Sequence, residues 1–450
     1  MKKAISLLLL AALAALTLAS CNSEDDSVFY DFDYAYPYPS EGYGGAEFRI
    51  LNMNDFDGLH SAMEREELTG ETLDDAIYTR NRLVEQQLDI VISETIVEET
   101  PEFNAVTKVL RPLILAGETQ YDAMFIPLSG AALTIREGFF YNLNEIDTVQ
   151  LDQPWWYQSF NDALSFYGMT YGAAGSANLT VCDAANVLVF NCDLMEDLKL
   201  KLPYNLVREG NWTLDEFHRY ITAAADLNGN IVGYCQSGQN VQSFLTGSGE
   251  MFFQKEENTI AFDRADERFC DVVEKLSDVL YAADDEADAF PSGGALFVQS
   301  GIYQLPSYAG LDFEYSLVPF PKYDENQESY YSSVWEGGTI ACIPVTSVDV
   351  KLHGLILDAM ACEGKKSVVP AFWEGLLEQD GMRSKDTASM LKIVAGSLVP
   401  PYSEFFRVGT ELVDDISSDI WYKSGAAPLL MADYEQTIQS ELAKLLEFWK

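Results

Sequence analysis

A tryptophan and a glutamate stand side by side at Trp335-Glu336 and are followed directly by two glycines, Gly337-Gly338. An indole face packs well against flat C–H surfaces, and a carboxylate accepts hydrogen bonds from hydroxyl or amine donors. Glycines let the backbone approach closely to whatever lies beside these two side chains. The pattern favours noncovalent recognition of a small polar molecule that also has apolar faces.

Polar side chains also follow two segments that are predicted to be strands. Asn54 and Asp55 come after the β-prone run 47–51, and Ser129 comes after the run 121–126. Ligands of α/β proteins bind beyond the carboxyl ends of parallel strands, so these three side chains are candidates for contacts with the same small molecule.

The spacings typical of enzymes are absent. The chain has no GxSxG nucleophile elbow, no HExxH helix and no P-loop. Its 71 acidic residues supply many carboxylate pairs, but so many acids bring pairs together by chance. We therefore predict that the protein is not an enzyme, with a secreted glycosidase as the alternative that such pairs would serve.

Metal ligands and cofactor motifs are equally sparse, and we predict neither a metal nor a cofactor. Three histidines and no CxxC pair give no zinc-site spacing. The loop at Asp226 begins like a calcium-binding EF-hand, but Ile231 stands where glycine is required and Ser237 where glutamate is required. A turn is the better interpretation. The last six cysteines are expected to pack as small apolar residues, with a disulfide between Cys182 and Cys192 left open.

The N-terminus has the pattern of an export signal, with a short basic start and an apolar run over 4–18 that is too short to span a membrane. The run ends at Leu18-Ala19-Ser20-Cys21, which resembles the bacterial lipobox, where the cysteine becomes the lipidated first residue. We predict a lipoprotein signal peptide over 1–20. Over 21–45 we predict lipidated Cys21 and a disordered tether.

The charge balance limits the classes of ligand. Removal of the signal peptide takes away Lys2 and Lys3, so the net charge changes from −43 to −45. Such a surface repels a phosphate backbone, so we expect no nucleic-acid partner. A neutral ligand fits best.

Strand and helix patterns alternate along the chain, which predicts an α/β fold with right-handed crossovers and a mostly parallel sheet. The predicted strand 89–92 is continuously apolar after Asp89, as in strands that are buried on both faces. The length exceeds what one core usually organises, so two lobes are expected. The remaining predicted strands are 47–51, 121–126, 187–191, 295–298 and 340–344, and the predicted helices include 74–88, 104–116 and 213–225.

The chain resembles the family 1 extracellular solute-binding proteins of ABC importers, in the branch common in clostridial-type bacteria. The resemblance covers nearly the whole chain beyond the signal peptide. Its landmarks keep the order of the family over about 350 residues. They are Gly44–Ile50, Asp75–Glu85, Tyr121-Asp122, Pro154-Trp155-Trp156, Tyr204–Gly210 with Trp212–Asp215, Asp226–Gly229, Phe290–Phe297, Val318–Tyr323 and Met382–Asp386.

The resemblance implies a two-lobed α/β fold of the periplasmic-binding-protein type II, with a ligand cleft between the lobes. The chain would cross the hinge three times, near 173–176, 299–301 and 333–336. The N-terminal lobe would then comprise 46–172 plus 300–333, and the C-terminal lobe 173–299 plus 334–450.

The resemblance also implies a function and further site residues. Ser176 and Asn178 would lie past the first crossing, Tyr303 past the second, and Trp335 and Glu336 near the third. The protein would capture a carbohydrate, an oligosaccharide above all, on the outer face of the cell membrane. It would act as a lipid-anchored monomer and deliver the sugar to the permease subunits. A polyamine, a peptide or a glycerol phosphate ester on the same fold remains the alternative ligand.

Overall fold

The computed structural model describes residues 32, 34–53, 58–97, 105–225, 231–235, 240–262, 267–280, 289–379, 382 and 384–450. The predictions for Cys21, Asn54, Asp55 and the loop at Asp226 lie outside these residues. The strands are β1 (Ala46–Asn52), β2 (Ile90–Ile96), β3 (Ala123–Pro127), β4 (Asn186–Asn191), β5 (Val232–Cys235), β6 (Gln254–Glu256), β7 (Thr259–Ala261), β8 (Ala295–Gly301), β9 (Tyr315–Val318), β10 (Ser332–Ser333), β11 (Thr339–Cys342) and β12 (Leu398–Val399).

Helices lie between most of the strands up to β8, and the chain after β11 is mainly helical. They are α1 (Thr72–Leu88), α2 (Ala105–Leu115), α3 (Ala131–Arg136), α4 (Gln158–Leu164), α5 (Thr180–Asp183), α6 (Cys192–Asp197), α7 (Tyr204–Arg208), α8 (Leu214–Ala225), α9 (Asn240–Gly247), α10 (Glu267–Leu280), α11 (Val350–Lys366), α12 (Val368–Leu377), α13 (Lys385–Ala395), α14 (Tyr402–Phe406), α15 (Thr410–Tyr422) and α16 (Ala427–Leu446).

The first sheet has the strand order β11-β3-β1-β2. Strand β1 pairs in parallel with both β2 and β3, as the alternating pattern predicts. Strand β2 is not buried on both faces, however, because it forms the edge of the sheet. Ile90 and Ile92 are buried, whereas Val91 between them is 50% exposed.

The second sheet has the strand order β5-β8-β4-β9 and mixes parallel with antiparallel pairs. Strand β4 is antiparallel to both of its neighbours, and β5 is parallel to β8. Every residue of β8 is buried, which fits a central strand covered on both faces.

Parts of two segments belong to a different lobe from the one that was predicted for them. Strand β9 pairs with β4 in the second sheet, so the segment 300–333 does not belong wholly to the N-terminal lobe. Strand β11 pairs antiparallel with β3 in the first sheet, and helices α11 and α12 pack on α1, so 334–450 does not belong wholly to the C-terminal lobe. Short strands that bury every residue fit either sheet, and the sequence pattern does not contain this nonlocal pairing.

The strand pairing also shows where the chain passes between the sheets. It leaves the first sheet between Ala173, which bridges to Ala341, and β4. It returns between β10 and β11, which includes the predicted crossing at 333–336, and leaves again between α12 and α13. At 299–301 the chain remains in the second sheet, so the predicted second crossing is wrong.

An aromatic segment ahead of the first strand packs on the first lobe. We call residues 32 and 34–38 the N-terminal strap. The rings of Phe32, Tyr34 and Tyr36 lie 5.2–6.3 Å from the ring of Trp155, and the Tyr36 hydroxyl donates to the buried carboxylate of Asp358 at 3.2 Å. The prediction of a disordered tether through residue 45 is therefore wrong for the strap, because aromatic faces supply the apolar contact that aliphatic residues would otherwise give.

Cys182 and Cys192 are separate thiols and form no disulfide with each other. Burial raises the pKa of the Cys182 thiol to about 11 and that of the Cys192 thiol to about 12, so both stay protonated and unreactive at neutral pH. Within the part of the chain that the structure describes, no helix is long and apolar enough to cross a membrane.

Candidate functional site

A cavity of about 450 Å³ opens at the carboxyl end of β8, beside the segment 333–336 in which the chain passes from the second sheet to the first. Its size lies within the range of small-molecule sites. The lining comes from the start of β4, the end of β8 and the 3₁₀ turn after it, α9, and the segments 251–253, 333–336 and 399–404. The lining residues are Asn186, Gln242, Ser243, Leu245, Thr246, Met251, Phe252, Phe253, Gln299, Gly301, Tyr303, Gln304, Ser333, Val334, Trp335, Glu336, Val399, Pro400, Pro401, Tyr402, Ser403 and Glu404.

Two aromatic rings form one wall of the cavity. The rings of Tyr303 and Trp335 stack with their centroids 5.5 Å apart and an interplanar angle of 21°. A Cβ atom at Gly301 would lie 2.4 Å from the Tyr303 ring, and one at Gly337 would lie 2.4 Å from the Trp335 ring. Each ring therefore lies directly against glycine backbone, and the wall is a preformed apolar platform.

The Glu336 carboxylate lies beside this wall and is half-buried. Burial raises its pKa, and the nearby charge of Glu404 raises it further. A hydrogen bond from the Ser129 hydroxyl and the charge of Arg407 act in the opposite direction. The Arg407 Nη1 atom is 3.7 Å from Glu336 Oε2, which is longer than a charge-assisted hydrogen bond.

Glu404 is more deeply buried and more firmly held than Glu336. The Ser403 hydroxyl donates to its Oε2 atom at 2.6 Å, and the Gln242 side-chain amide donates to the same atom at 3.1 Å. The Glu404 backbone carbonyl accepts a hydrogen bond from the Gly130 amide at 2.9 Å. Because Gly130 follows β3, this contact connects the cavity to the first lobe.

Four polar side chains form a hydrogen-bonded floor. The Ser243 and Ser333 hydroxyls are 2.9 Å apart, the Gln299 amide donates to Ser243 at 3.3 Å, and the Asn186 amide donates to the Ser333 hydroxyl at 3.1 Å. Amides and hydroxyls can each donate and accept, so this floor can bind hydroxyl groups of either orientation. With the aromatic wall, the cavity is suited to a molecule that has both C–H faces and polar rim groups.

The structure brings four of the predicted site residues together. Trp335, Glu336 and Tyr303 line the cavity, and Ser129 adjoins it through its backbone amide, which donates to the Glu336 carbonyl at 3.1 Å. That these residues bind a ligand stays a prediction.

Ser176 and Asn178 do not line this cavity. Ser176 is fully buried, and its amide donates to the Trp155 carbonyl at 2.8 Å. The Asn178 side-chain oxygen accepts hydrogen bonds from the Thr180 amide and the Thr339 hydroxyl, so this side chain is engaged in joining the connection after Ala173 to β11.

Several lining residues were not predicted from the sequence, among them Gln242 and Glu404. Their segments are distant along the chain, and neither follows a strand of the predicted sheet. One signal could have indicated the second segment. Pro400-Pro401 precedes Tyr402, and two prolines before a cluster of polar and aromatic residues are typical of a fixed loop that presents its side chains.

Among the described residues, no group of three or more histidine, cysteine, aspartate or glutamate side chains could hold a metal ion. Hydrogen-bonding groups and aromatic rings supply the chemistry of this cavity.

Solved structures of ABC-transporter binding proteins share this fold over most of the chain. The galacto-N-biose-/lacto-N-biose I-binding protein from Bifidobacterium longum, in complex with lacto-N-biose, has 14% sequence identity and a TM-score of 0.59. That alignment covers 90% of this chain and 99% of the other. The cyclic alpha-maltosyl-1,6-maltose binding protein from Arthrobacter globiformis has 16% identity and a TM-score of 0.59, with 89% and 99% covered.

A family 1 extracellular solute-binding protein from Bifidobacterium longum subsp. infantis has 15% identity and a TM-score of 0.57, with 88% of this chain and all of that chain covered. At such identities the likeness shows a common fold: the chain has the two-lobed α/β architecture of solute-binding proteins. No protein-family model matches the chain, and no curated protein matches it.

Proposed function

We propose that the protein is the extracellular solute-binding component of an ABC importer and that it captures a carbohydrate, above all an oligosaccharide. The observation that carries the proposal is the stacked pair Tyr303 and Trp335 beside the Glu336 carboxylate, in a cavity at the passage between the two lobes. Sugars have flat C–H faces that pack on aromatic rings and rim hydroxyls that bond to carboxylates and amides.

Capture would proceed by closure of the lobes around the sugar. A ligand can drive closure only through contacts that it makes in the closed form and lacks in the open form. The Ser129 and Gly130 turn of the first lobe already contacts the cavity residues Glu336 and Glu404, so it is placed to add such contacts. The closed form would then dock on the permease, and no bond in the sugar would be made or broken.

The same proposal covers the location and the partners of the protein. Cleavage before Cys21 and acylation of that residue would hold the protein on the outer face of the cell membrane. It would act as a monomer together with the membrane permease subunits. It would bind no nucleic acid, in keeping with its acidic surface.

Thermal unfolding tests the proposal. The chain beginning at Asn22 is unfolded with a panel of mono- and oligosaccharides, spermidine and peptides. A sugar at 100 times its dissociation constant should add about 2.7 kcal/mol to the unfolding free energy, which is a shift of several degrees. We expect Trp335→Ala to abolish the shift.

The matched control is Tyr422→Ala, which removes an aromatic ring that is 75% exposed and does not line the cavity. This variant should keep the full shift. No shift with any saccharide, or the same shift with Trp335→Ala, would contradict the proposal.

A glycosidase is the second candidate, because two glutamates face the cavity. It predicts hydrolysis of the bound sugar and loss of that turnover in Glu336→Gln. Intact sugar after prolonged incubation would exclude it for the sugar that binds.

A further inference from the structure

The cavity carries an acidic charge that a neutral sugar does not need. Among the described residues that line it, Glu336 and Glu404 are ionisable acids, and none is a lysine, arginine or histidine. Arg407 is the nearby basic group, at 3.7 Å from Glu336. Among the described residues, one guanidinium beside two carboxylates gives an excess of negative charge at the cavity.

The two carboxylates are at least partly buried and have defined contacts, so they do not extend freely into solvent. Glu404 is only 9% exposed and accepts from Ser403 and Gln242. The Glu336 Oε2 atom is buried and has no hydrogen-bond partner among the described residues, and its contact with Arg407 is long. Keeping an under-bonded carboxylate next to a second one is unfavourable unless something compensates for it.

A protonated amine compensates for this arrangement better than a hydroxyl. A hydroxyl supplies one donor and no charge, whereas an ammonium group supplies three donors and a positive charge. An ammonium group over the Trp335 face would gain a cation–π attraction as well. The same ring still favours a ligand with a flat C–H face, which a linear polyamine lacks.

We propose that the ligand is an amino sugar, as a monosaccharide or within an oligosaccharide, with its protonated amine bound between Glu336 and Glu404 and its ring packed on Trp335. This inference rests on the proposed carbohydrate function and names the class of carbohydrate.

Calorimetry on the chain beginning at Asn22 tests the inference with ligands matched except at one group. The β-1,4-linked tetrasaccharides of glucosamine, N-acetylglucosamine and glucose differ only at carbon 2. Galactosamine with galactose and glucosamine with glucose extend the comparison, and spermidine supplies amines without a ring. We expect the amino sugar to bind about tenfold more tightly than its neutral partners, with an affinity that falls as salt rises.

The variants Glu336→Gln and Glu404→Gln keep the shape of the side chain and remove one charge each. Each should reduce about tenfold the ratio of the affinity for the amino sugar to the affinity for its neutral partner, because only the ammonium group loses a charge–charge contact. Glu441→Gln is the matched control, because it removes the same charge from the exposed face of α16. It should leave the preference unchanged.

The outcomes separate the inference from the proposed function. A neutral sugar that binds as tightly as its amino partner would overturn the inference and leave the carbohydrate function intact. An unchanged preference in both glutamine variants would also overturn it. Binding of spermidine with no saccharide bound would overturn both.

Discussion

Two glycines determine where the aromatic rings of the cavity lie. At Gly301 and Gly337 the neighbouring aromatic ring occupies the space that a side chain would need. Neither glycine has a positive φ angle, so the requirement is for room and not for a left-handed backbone. The two rings can occupy their positions only because both residues lack a Cβ atom. A methyl group added at either glycine should therefore displace the ring beside it.

We expect Gly337→Ala to displace Trp335 and to weaken sugar binding by about 1–3 kcal/mol, the usual cost of forcing a side chain out of a packed position. Calorimetry with the sugar found in the thermal screen measures the loss. Gly375→Ala is the control, because nothing lies within 4 Å of its added Cβ. It should stabilise helix α12 by about 0.5–1 kcal/mol and leave affinity unchanged. Equal affinity in the two variants would contradict this account.

At the scale of single residues, the sequence predicts those site residues that lie next to a recognisable pattern, such as a glycine pair or the end of a strand. Trp335 and Glu336 were found because two glycines follow them, and Ser129 because it follows a strand. Gln242 and Glu404 were missed because only the packing of α9 and α14 brings their segments together. Asn178 was predicted from its place past the first hinge crossing, but its side-chain amide is engaged in hydrogen bonds of the framework.

Helix α11 carries a carboxylate that organises the elements around it. Asp358 is fully buried and accepts hydrogen bonds from both indole nitrogens of Trp155 and Trp156, at 3.0 Å and 2.8 Å. The Gln150 amide and the Tyr36 hydroxyl donate to it as well. One side chain thus joins helix α11, the loop before α4 and the N-terminal strap.

Asp358→Ala should lower the free energy of unfolding by roughly 3 kcal/mol, because two buried indole donors and one backbone donor would lose their acceptor. Asp358→Asn keeps a carbonyl oxygen and should lose clearly less. Urea unfolding of both variants measures the difference. Equal losses would mean that the carboxylate does not act as the shared acceptor.

At the scale of elements, the strands and helices that were predicted exist close to their predicted bounds. The strap was missed because its aromatic residues have no regular period and few aliphatic neighbours. The burial of β2 was misjudged because a continuous apolar run does not reveal that its strand lies at the edge of the sheet.

A histidine of the first lobe contacts a buried carboxylate on the connection between the two sheets. The amide and the Nδ1 atom of His60, in the loop after β1, are 2.7 Å and 3.0 Å from Asp183 Oδ2, at the end of α5 on the connection between the sheets. Burial alone would lower the pKa of His60, but the hydrogen bond and the charge of Asp183 outweigh it, so the pKa is raised. Arg65 opposes this effect, Asp74 adds to it, and the His60 ring packs on Phe372.

A raised pKa in a histidine stabilises the folded state when the ring is protonated. The contribution should be complete below about pH 6.5, the value of an unperturbed histidine, and should disappear as pH rises through the folded pKa. We expect His60→Gln to lower the unfolding free energy by about 0.5 kcal/mol more at pH 5.5 than at pH 8.5, since the side chain is partly exposed. Denaturant unfolding at both values measures it. His218→Gln serves as the control. If His60→Gln lowers the unfolding free energy by the same amount at both pH values, protonated His60 does not stabilise the fold.

At the scale of the molecule, the two-lobed α/β architecture could be predicted from the sequence, and the division of the chain between lobes could not. Strands β9 and β11 are both four residues long and fully buried. Nothing local in either sequence states which sheet it joins, and the order of elements placed both in the wrong lobe.

The N-terminal strap shortens the tether between the proposed membrane anchor and the folded part of the protein. If Cys21 carries the lipid, ten residues lie between the anchor and Phe32, whose ring is docked, and 24 would lie between the anchor and β1. Fully extended, these distances are about 40 Å and about 90 Å. The volume that the protein can reach around its anchor scales with the cube of the tether length. Shortening the tether from about 90 Å to about 40 Å therefore reduces this volume roughly tenfold. Its local concentration at a neighbouring permease rises by the same factor, so the edge-to-face contact between Phe32 and Trp155 would raise the rate at which the loaded protein meets the permease.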